Sequence, residues 1–164
     1  MDKQNLKMGF APVYDENSKI LILGSFPSVK SREISFYYGN KQNRFWKTVC
    51  ACFNVSVPET TVGKIEFLLN RRIALWDIVA KCKVKGSADS SIEVLETADL
   101  SMIFDTAKIE KVLLNGGLAY KLFEKAYGEY CLDKGIEYKK LSSTSPANPR
   151  FSKEEWEKEL NDLR

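Results

Sequence analysis

The densest chemistry in this chain lies between Ser35 and Trp46, in the run Ser-Phe-Tyr-Tyr-Gly-Asn-Lys-Gln-Asn-Arg-Phe-Trp. Aromatic faces such as that of Tyr38 can stack on a planar base. The amides of Asn40 and Asn43 can read a base edge or hold a water, and Lys41 and Arg44 can meet phosphate. The plainer alternative makes Phe36, Phe45 and Trp46 core residues and the polar ones solvated turn formers. A second segment, Ser142-Ser-Thr-Ser-Pro-Ala-Asn-Pro-Arg-Phe151, combines small hydroxyl residues with two prolines. Such a stiff loop can grip a DNA phosphate through its amides and hydroxyls, with Ser143, Ser145, Pro146, Asn148 and Arg150 as its contact candidates. Polar turns of this kind also occur in proteins that bind no nucleic acid. Asn115-Gly-Gly117 can seat an anion at a helix N-terminus or simply make a tight turn.

These segments need elements to position them. The apolar run Lys19 to Gly24 is a buried strand feeding the loop Gly24-Ser25-Phe26-Pro27-Ser28. Ile73–Val79, Lys111–Asn115 and Ile136–Leu141 read as three further strands. Apolar spacing predicts helices over Arg44–Phe53, Thr61–Asn70 and Gly117–Tyr127. A last helix runs over Ser152–Leu163, where Ser152 and Glu155 have capping-box spacing. Helices are expected to fill the remaining gaps. Alternating strands and helices imply right-handed crossovers and a mostly parallel sheet covered on both faces. Ligands of such sheets bind at the carboxyl ends of the strands, where the segments above leave the sheet.

Composition narrows the class without naming a partner. With 164 residues, 44% apolar and 29% charged, the chain is expected to form a single globular domain, residues 1–164. A net charge of +3 from 25 basic and 22 acidic residues is too small an excess to diagnose nucleic-acid binding. No stretch approaches the ~18 apolar residues of a membrane span, and no signal-like apolar region opens the chain, so a cytoplasmic protein is expected. Four cysteines without a CxxC pair, in a chain with no histidine, are expected to be reduced thiols, and no metal or cofactor is implied.

Taken together the loops resemble the DNA-deoxyinosine (hypoxanthine-DNA) glycosylases, family six of the uracil-DNA glycosylase superfamily. The resemblance rests on Leu21-Ile-Leu-Gly-Ser-Phe-Pro-Ser28, Tyr37-Tyr-Gly39 leading to Asn43-Arg-Phe-Trp46, and Ala74-Leu-Trp-Asp77. It continues through Gly86-Ser87, Asp89-Ser-Ser-Ile92, Asn115-Gly116 and Ser143-Thr-Ser-Pro-Ala-Asn148, in that order. It implies a three-layer α/β/α sandwich with a short, mostly parallel central sheet. It also implies a monofunctional enzyme that flips a deaminated base out of DNA, prefers hypoxanthine to uracil, needs no cofactor and acts as a monomer.

Many superfamily members carry an Asp or Asn inside the first motif to hold the attacking water. Here that stretch is Ser25-Phe26-Pro27-Ser28, and Asn43 is the replacement implied by the resemblance, orienting water toward the sugar C1′. Asn40 stands where relatives often carry a histidine and is a secondary candidate. Asp77 ends the second strand, at a position that approaches the base in superfamily relatives. It can accept a lactam N–H or stabilise positive charge on the sugar, or alternatively serve as a helix cap or a structural hydrogen-bonding group. In this scheme Gly24, Ser25, Phe26, Pro27, Tyr38, Asn40 and Asn115 line the base pocket, with Phe26 stacking on the base. Ser145 and its neighbours hold the flanking phosphate, and Arg150 or Phe151 fills the gap left in the duplex. The competing readings are a non-catalytic nucleic-acid-binding module of the same fold and a hydrolase of free nucleotides. The second is disfavoured by the lack of a P-loop, an acidic metal cluster or a histidine.

Overall fold

A computed structural model describes residues 6–27, 36–84 and 92–161. Its centre is a sheet of four parallel strands in the order β3-β2-β6-β7. These are β2 (Ile20–Gly24), β3 (Ile73–Asp77), β6 (Lys111–Asn115) and β7 (Glu137–Leu141). β2 is Ile-Leu-Ile-Leu-Gly, buried at every position, because it is central and both of its faces are covered. β7 is an edge strand, and its exposed Glu137, Lys139 and Lys140 discourage a further strand from pairing there.

Alternation along the strands divides the core in two. Ile20, Ile22, Ile73, Leu75 and Leu113 face a layer containing α1 (Phe45–Cys52), α2 (Thr61–Asn70) and α5 (Lys153–Leu160), among them Phe45, Phe67, Leu68 and Trp156. Leu21, Leu23, Ala74, Val112 and Leu114 face the other layer, with α3 (Ser101–Thr106) and α4 (Gly117–Lys134) supplying Ile103, Ala119 and Phe123. This is the expected three-layer α/β/α arrangement. All four cysteines are buried in it.

Three expectations are corrected. The stretch after Asp77 is not a continuation of β3 followed by helix. The chain bends at Ile78 into β4 (Val79–Val84), which pairs antiparallel with β1 (Leu6–Met8) and β5 (Ile92–Thr97) in a second, three-stranded sheet. Alternation of Lys81 and Lys83 with Cys82 and Val84 is the period-two signal for it. Second, α4 does not stop at Tyr127 but runs through Gly128 to Lys134. It ends at Gly135, whose φ of 69° gives the left-handed C-cap that glycine adopts without strain. Third, Ser152 and Glu155 form no capping box. The Ser142 N–H, just past the end of β7, donates to Glu155 Oε2 at 2.8 Å, while Ser152 Oγ donates to Glu154 at 3.3 Å. The strand end thus takes the carboxylate that the helix start was expected to use.

Among the described residues, ion pairs join α5 to the central sheet. Glu159, 5% exposed, bridges Lys111 at 2.9 Å and Lys139 at 2.7 Å, tying α5 to β6 and β7. Two ammonium groups hold its carboxyl below its ordinary range against the opposing effect of burial.

Candidate active site

Parallel registry sets Gly24 beside Asp77 at the carboxyl ends of β2 and β3, and Asn115 beside Leu141 at the ends of β6 and β7. Gly24 matters for what it lacks. A Cβ there would stand 2.6 Å from Asp77 Oδ1 and 2.7 Å from the Tyr38 hydroxyl, so the carboxyl and the phenol meet in the space a side chain would fill. The next carbonyls, of Gly24 and Ser25, accept the N–H groups of Ile78 and Val79 at 2.8 and 3.0 Å. This fixes the bend at which Asp77 leaves the strand.

Tyr38 reaches the site because Tyr37 is anchored. The Tyr37 hydroxyl donates to the Ala11 carbonyl at 2.6 Å, and the Tyr37 carbonyl accepts from Trp46 Nε1 at 2.8 Å. The chain then turns at Tyr38, whose φ of 53° is an uncommon, strained conformation for a bulky residue. Its ring stacks on Phe45, centroids 4.1 Å apart and planes 23° from parallel, which offsets the strain.

Asp77 is 4% exposed, and its Oδ2 is a buried polar atom without a hydrogen-bond partner among the described residues. Burial pushes its carboxyl up to about 7. The Tyr37 and Tyr38 hydroxyls lie above their ordinary range, first from burial and then from the charge Asp77 can carry, and stay protonated. A native interior rarely leaves a carboxyl oxygen unpaired, and such a group is characteristic of a site that awaits a ligand.

Asn115 is committed to the protein. Its Nδ2 donates to the Tyr38 hydroxyl at 3.1 Å and to Thr144 Oγ1 at 3.0 Å, and its Oδ1 accepts the Thr144 N–H at 3.0 Å. It was expected to face the base. Its bonds instead brace Tyr38 and the loop after β7 together. Both amide hydrogens are spent, leaving one lone pair on Oδ1.

That loop is largely self-bonded. Ser143 Oγ accepts the Ser145 N–H, Ser145 Oγ accepts the Ala147 N–H, and Asn148 Oδ1 accepts the Arg150 N–H. Asn148 Nδ2 donates to the Ser143 carbonyl. The amides of residues 145, 147, 148 and 150 are therefore occupied within the loop. The hydroxyl hydrogens of Ser143 and Ser145 have no acceptor among the described residues. Pro146 and Arg150 are exposed. Phe151, by contrast, packs on the core beneath the Arg44 guanidinium at 4.6 Å.

Asn43 sits one residue before this anchor. Its Oδ1 accepts the Phe45 N–H at 2.9 Å, closing the first turn of α1, while its N–H donates to the Asn40 carbonyl and Asn40 Oδ1 accepts the Gln42 N–H. Nδ2 of Asn43 has no acceptor among the described residues. Phe26, 8% exposed, and Pro27 are buried, Phe26 within the second core cluster, and Ser25 is half-buried. Ser28, Gly86, Ser87 and Asp89 lie outside the described residues. Thr144 escaped the sequence reading as an individual site residue, and Arg44 entered it only as a group that can meet phosphate. Arg44 is bound to carbonyls 101 and 104 residues away, a pairing that no local pattern encodes.

No protein-family model matches the chain. It is 38% identical over 160 residues to a hypoxanthine DNA glycosylase from Methanosarcina acetivorans, covering 93% of this chain and 96% of the relative. A hypoxanthine DNA glycosylase from Methanosarcina barkeri is 36% identical over 152 residues, covering 90% and 91%. Among solved structures, a solution NMR structure from Methanosarcina acetivorans, described as that of a candidate uracil DNA glycosylase, superposes with a TM-score of 0.82. It shares 36% identity and covers 96% of this chain and 98% of its own.

Proposed function

The chain belongs to the hypoxanthine DNA glycosylase family, and from that footing we propose that it hydrolyses the N-glycosidic bond of hypoxanthine in DNA, acting on a nucleotide turned out of the duplex. DNA is the substrate polymer, and the atom that carries the reading is Oδ2 of Asp77, buried at the carboxyl end of the sheet and without a hydrogen-bond partner among the described residues.

When the bond breaks, its electron pair goes to the base and negative charge spreads to the purine carbonyl. An ionised carboxylate facing that carbonyl would oppose the reaction. A protonated Asp77 assists it, because its hydroxyl donates to O6 while its carbonyl accepts N1–H. The raised pKa of Asp77 supports this neutral form near pH 7. Tyr38, half-buried and backed by Phe45, is better disposed than the buried Phe26 to lie against the base.

Water completes the reaction: its oxygen bonds to C1′ and its released proton returns through solvent to the departing base. Asn43 orients it. An amide is too weak a base to take the proton, but the second lone pair of Oδ1, not used by the Phe45 N–H, can accept one water hydrogen. The hydroxyls of Ser143 and Ser145 and the side chain of Arg150 meet the flanking phosphates. None of the described helices is long and apolar enough to cross a membrane.

The test uses end-labelled duplexes carrying hypoxanthine, uracil or xanthine, treated with alkali to cut at abasic sites. Hypoxanthine is expected to be released fastest. Uracil has the same lactam edge on a smaller ring and should be cut about ten- to hundredfold more slowly, for about 1–3 kcal/mol of lost contact. Efficient uracil release without hypoxanthine release would overturn the base assignment. DNA retention without release of any base would point instead to a non-catalytic binding module.

A further inference from the structure

We propose that Arg44 is a positioning residue of the reaction, acting as a strut that holds the loop of residues 143–150 in the shape that grips DNA; this rests on the reading of that loop as the phosphate contact. One guanidinium nitrogen of Arg44, Nη2, donates to two carbonyls of the loop, Ser145 at 2.6 Å and Asn148 at 2.9 Å. Its main-chain N–H donates to a third, Thr144, at 3.0 Å. The guanidinium also lies over the Phe151 ring, 4.6 Å from its centroid, where the loop enters α5.

Those carbonyls point inward onto Arg44, which leaves the loop's hydroxyls for outside partners. Carbonyl oxygens turned outward would repel a phosphate. Gathering two of them onto a cation removes that repulsion and leaves a positive charge behind the loop. Arg44 also follows Asn43 directly. The same short segment therefore carries the proposed water-holding amide and the strut, so the phosphate loop and the hydrolytic group share one rigid mount at the start of α1. Lysine is a poor substitute, since an ammonium lacks the planar face that lies over Phe151.

The test compares wild type with Arg44→Ala, Arg44→Gln and Arg44→Lys, each checked for its unfolding midpoint. Anisotropy of a labelled hypoxanthine duplex reads capture, and single-turnover cleavage at saturating enzyme reads the bond-breaking step. Arg44→Ala should weaken capture about tenfold or more, with a smaller loss in the saturated rate, the scale of losing hydrogen bonds from a charged donor. Arg44→Lys and Arg44→Gln should remain closer to Ala than to wild type. Methylguanidinium at millimolar concentration should restore capture to the Ala variant and leave wild type unchanged. Capture within about twofold of wild type in the Ala variant, or full recovery in the Lys variant, would overturn the proposal, the latter because charge alone would then suffice. Since capture is read without catalysis, failure of the glycosylase assignment would leave this result interpretable.

Discussion

Asn115 and Thr144 hold each other twice: the Thr144 N–H donates to Asn115 Oδ1, and Asn115 Nδ2 donates to Thr144 Oγ1, each at 3.0 Å. Thr144 is 1% exposed, so neither bond has water as a substitute. Asn115→Ala should lower the unfolding free energy by about 2–3 kcal/mol, because the buried Thr144 N–H is left unsatisfied and the Tyr38 hydroxyl loses its donor. Urea denaturation measures it, and a change under about 0.5 kcal/mol would remove the brace from the account.

Gly24 should be irreplaceable for activity. A methyl group there meets Asp77 and Tyr38 at 2.6 and 2.7 Å, and neither the short carboxyl nor the rigid phenol can yield without leaving the site. Gly24→Ala should fold yet cut at least about 100-fold more slowly in single turnover. Gly117→Ala is the control, since a methyl group there has nothing within 4 Å.

The pH dependence follows from Asp77, whose carboxyl burial pushes up to about 7. If the protonated form reacts, the single-turnover rate is level below that value and declines above it. Asp77→Asn keeps a donor and an acceptor on the same atoms and should flatten this profile. Stability has the same sign. A carboxyl with a raised folded pKa stabilises below its unfolded value, near 4, and loses that contribution up to about pH 7, by about 1.4 kcal/mol per pH unit. Asp77→Asn should therefore raise the melting temperature relative to wild type more at pH 8 than at pH 5. A wild-type rate that rises between pH 7 and 8 would exclude the neutral acid.

Asn43→Ala should reduce the saturated rate at least about 100-fold, the scale of losing an oriented transition-state contact. It also deletes the acceptor for the Phe45 N–H, so a stability loss of about 1 kcal/mol is expected beside it. Asn43→Asp keeps both the acceptor for the Phe45 N–H and the lone pair that takes the water hydrogen, so it should retain the stability and most of the rate that Asn43→Ala loses. If both variants cut at wild-type rates, Asn43 holds no catalytic water.

Arg150 is exposed and should act through phosphate. Arg150→Ala should weaken duplex capture and lower the slope of log affinity against log salt by about 0.9, one phosphate contact. Ser145→Ala should weaken capture with little change in slope, having removed a neutral donor. An unchanged slope for Arg150→Ala would mean that it does not touch the backbone of DNA.

The inner strands of the central sheet were legible because buried parallel strands are continuous apolar runs: Lys111–Asn115 has the expected bounds, and β2 differs by a single residue. The second sheet was not, although Lys81 and Lys83 alternate with Cys82 and Val84, because the apolar run Ile73–Val79 reads as one continuous strand and hides the bend at Ile78. At the site, Asp77 and Gly24 could be read from their place at strand ends. The commitments of Asn115 and Arg44 could not, because hydrogen bonds spanning 29 to 104 residues depend on how the strands are ordered, which local sequence does not state.

That same separation orders events in time. Gly24, Tyr38 and Asp77 leave the ribosome well before Thr144, Ser145 and Asn148, to which Asn115 and Arg44 must bond. Until β7 has added to the sheet edge and the loop after it has closed, Tyr38 has a strained backbone and an unbraced phenol. A growing chain thus holds the elements of the pocket without its walls until Thr144, Ser145 and Asn148 have joined them.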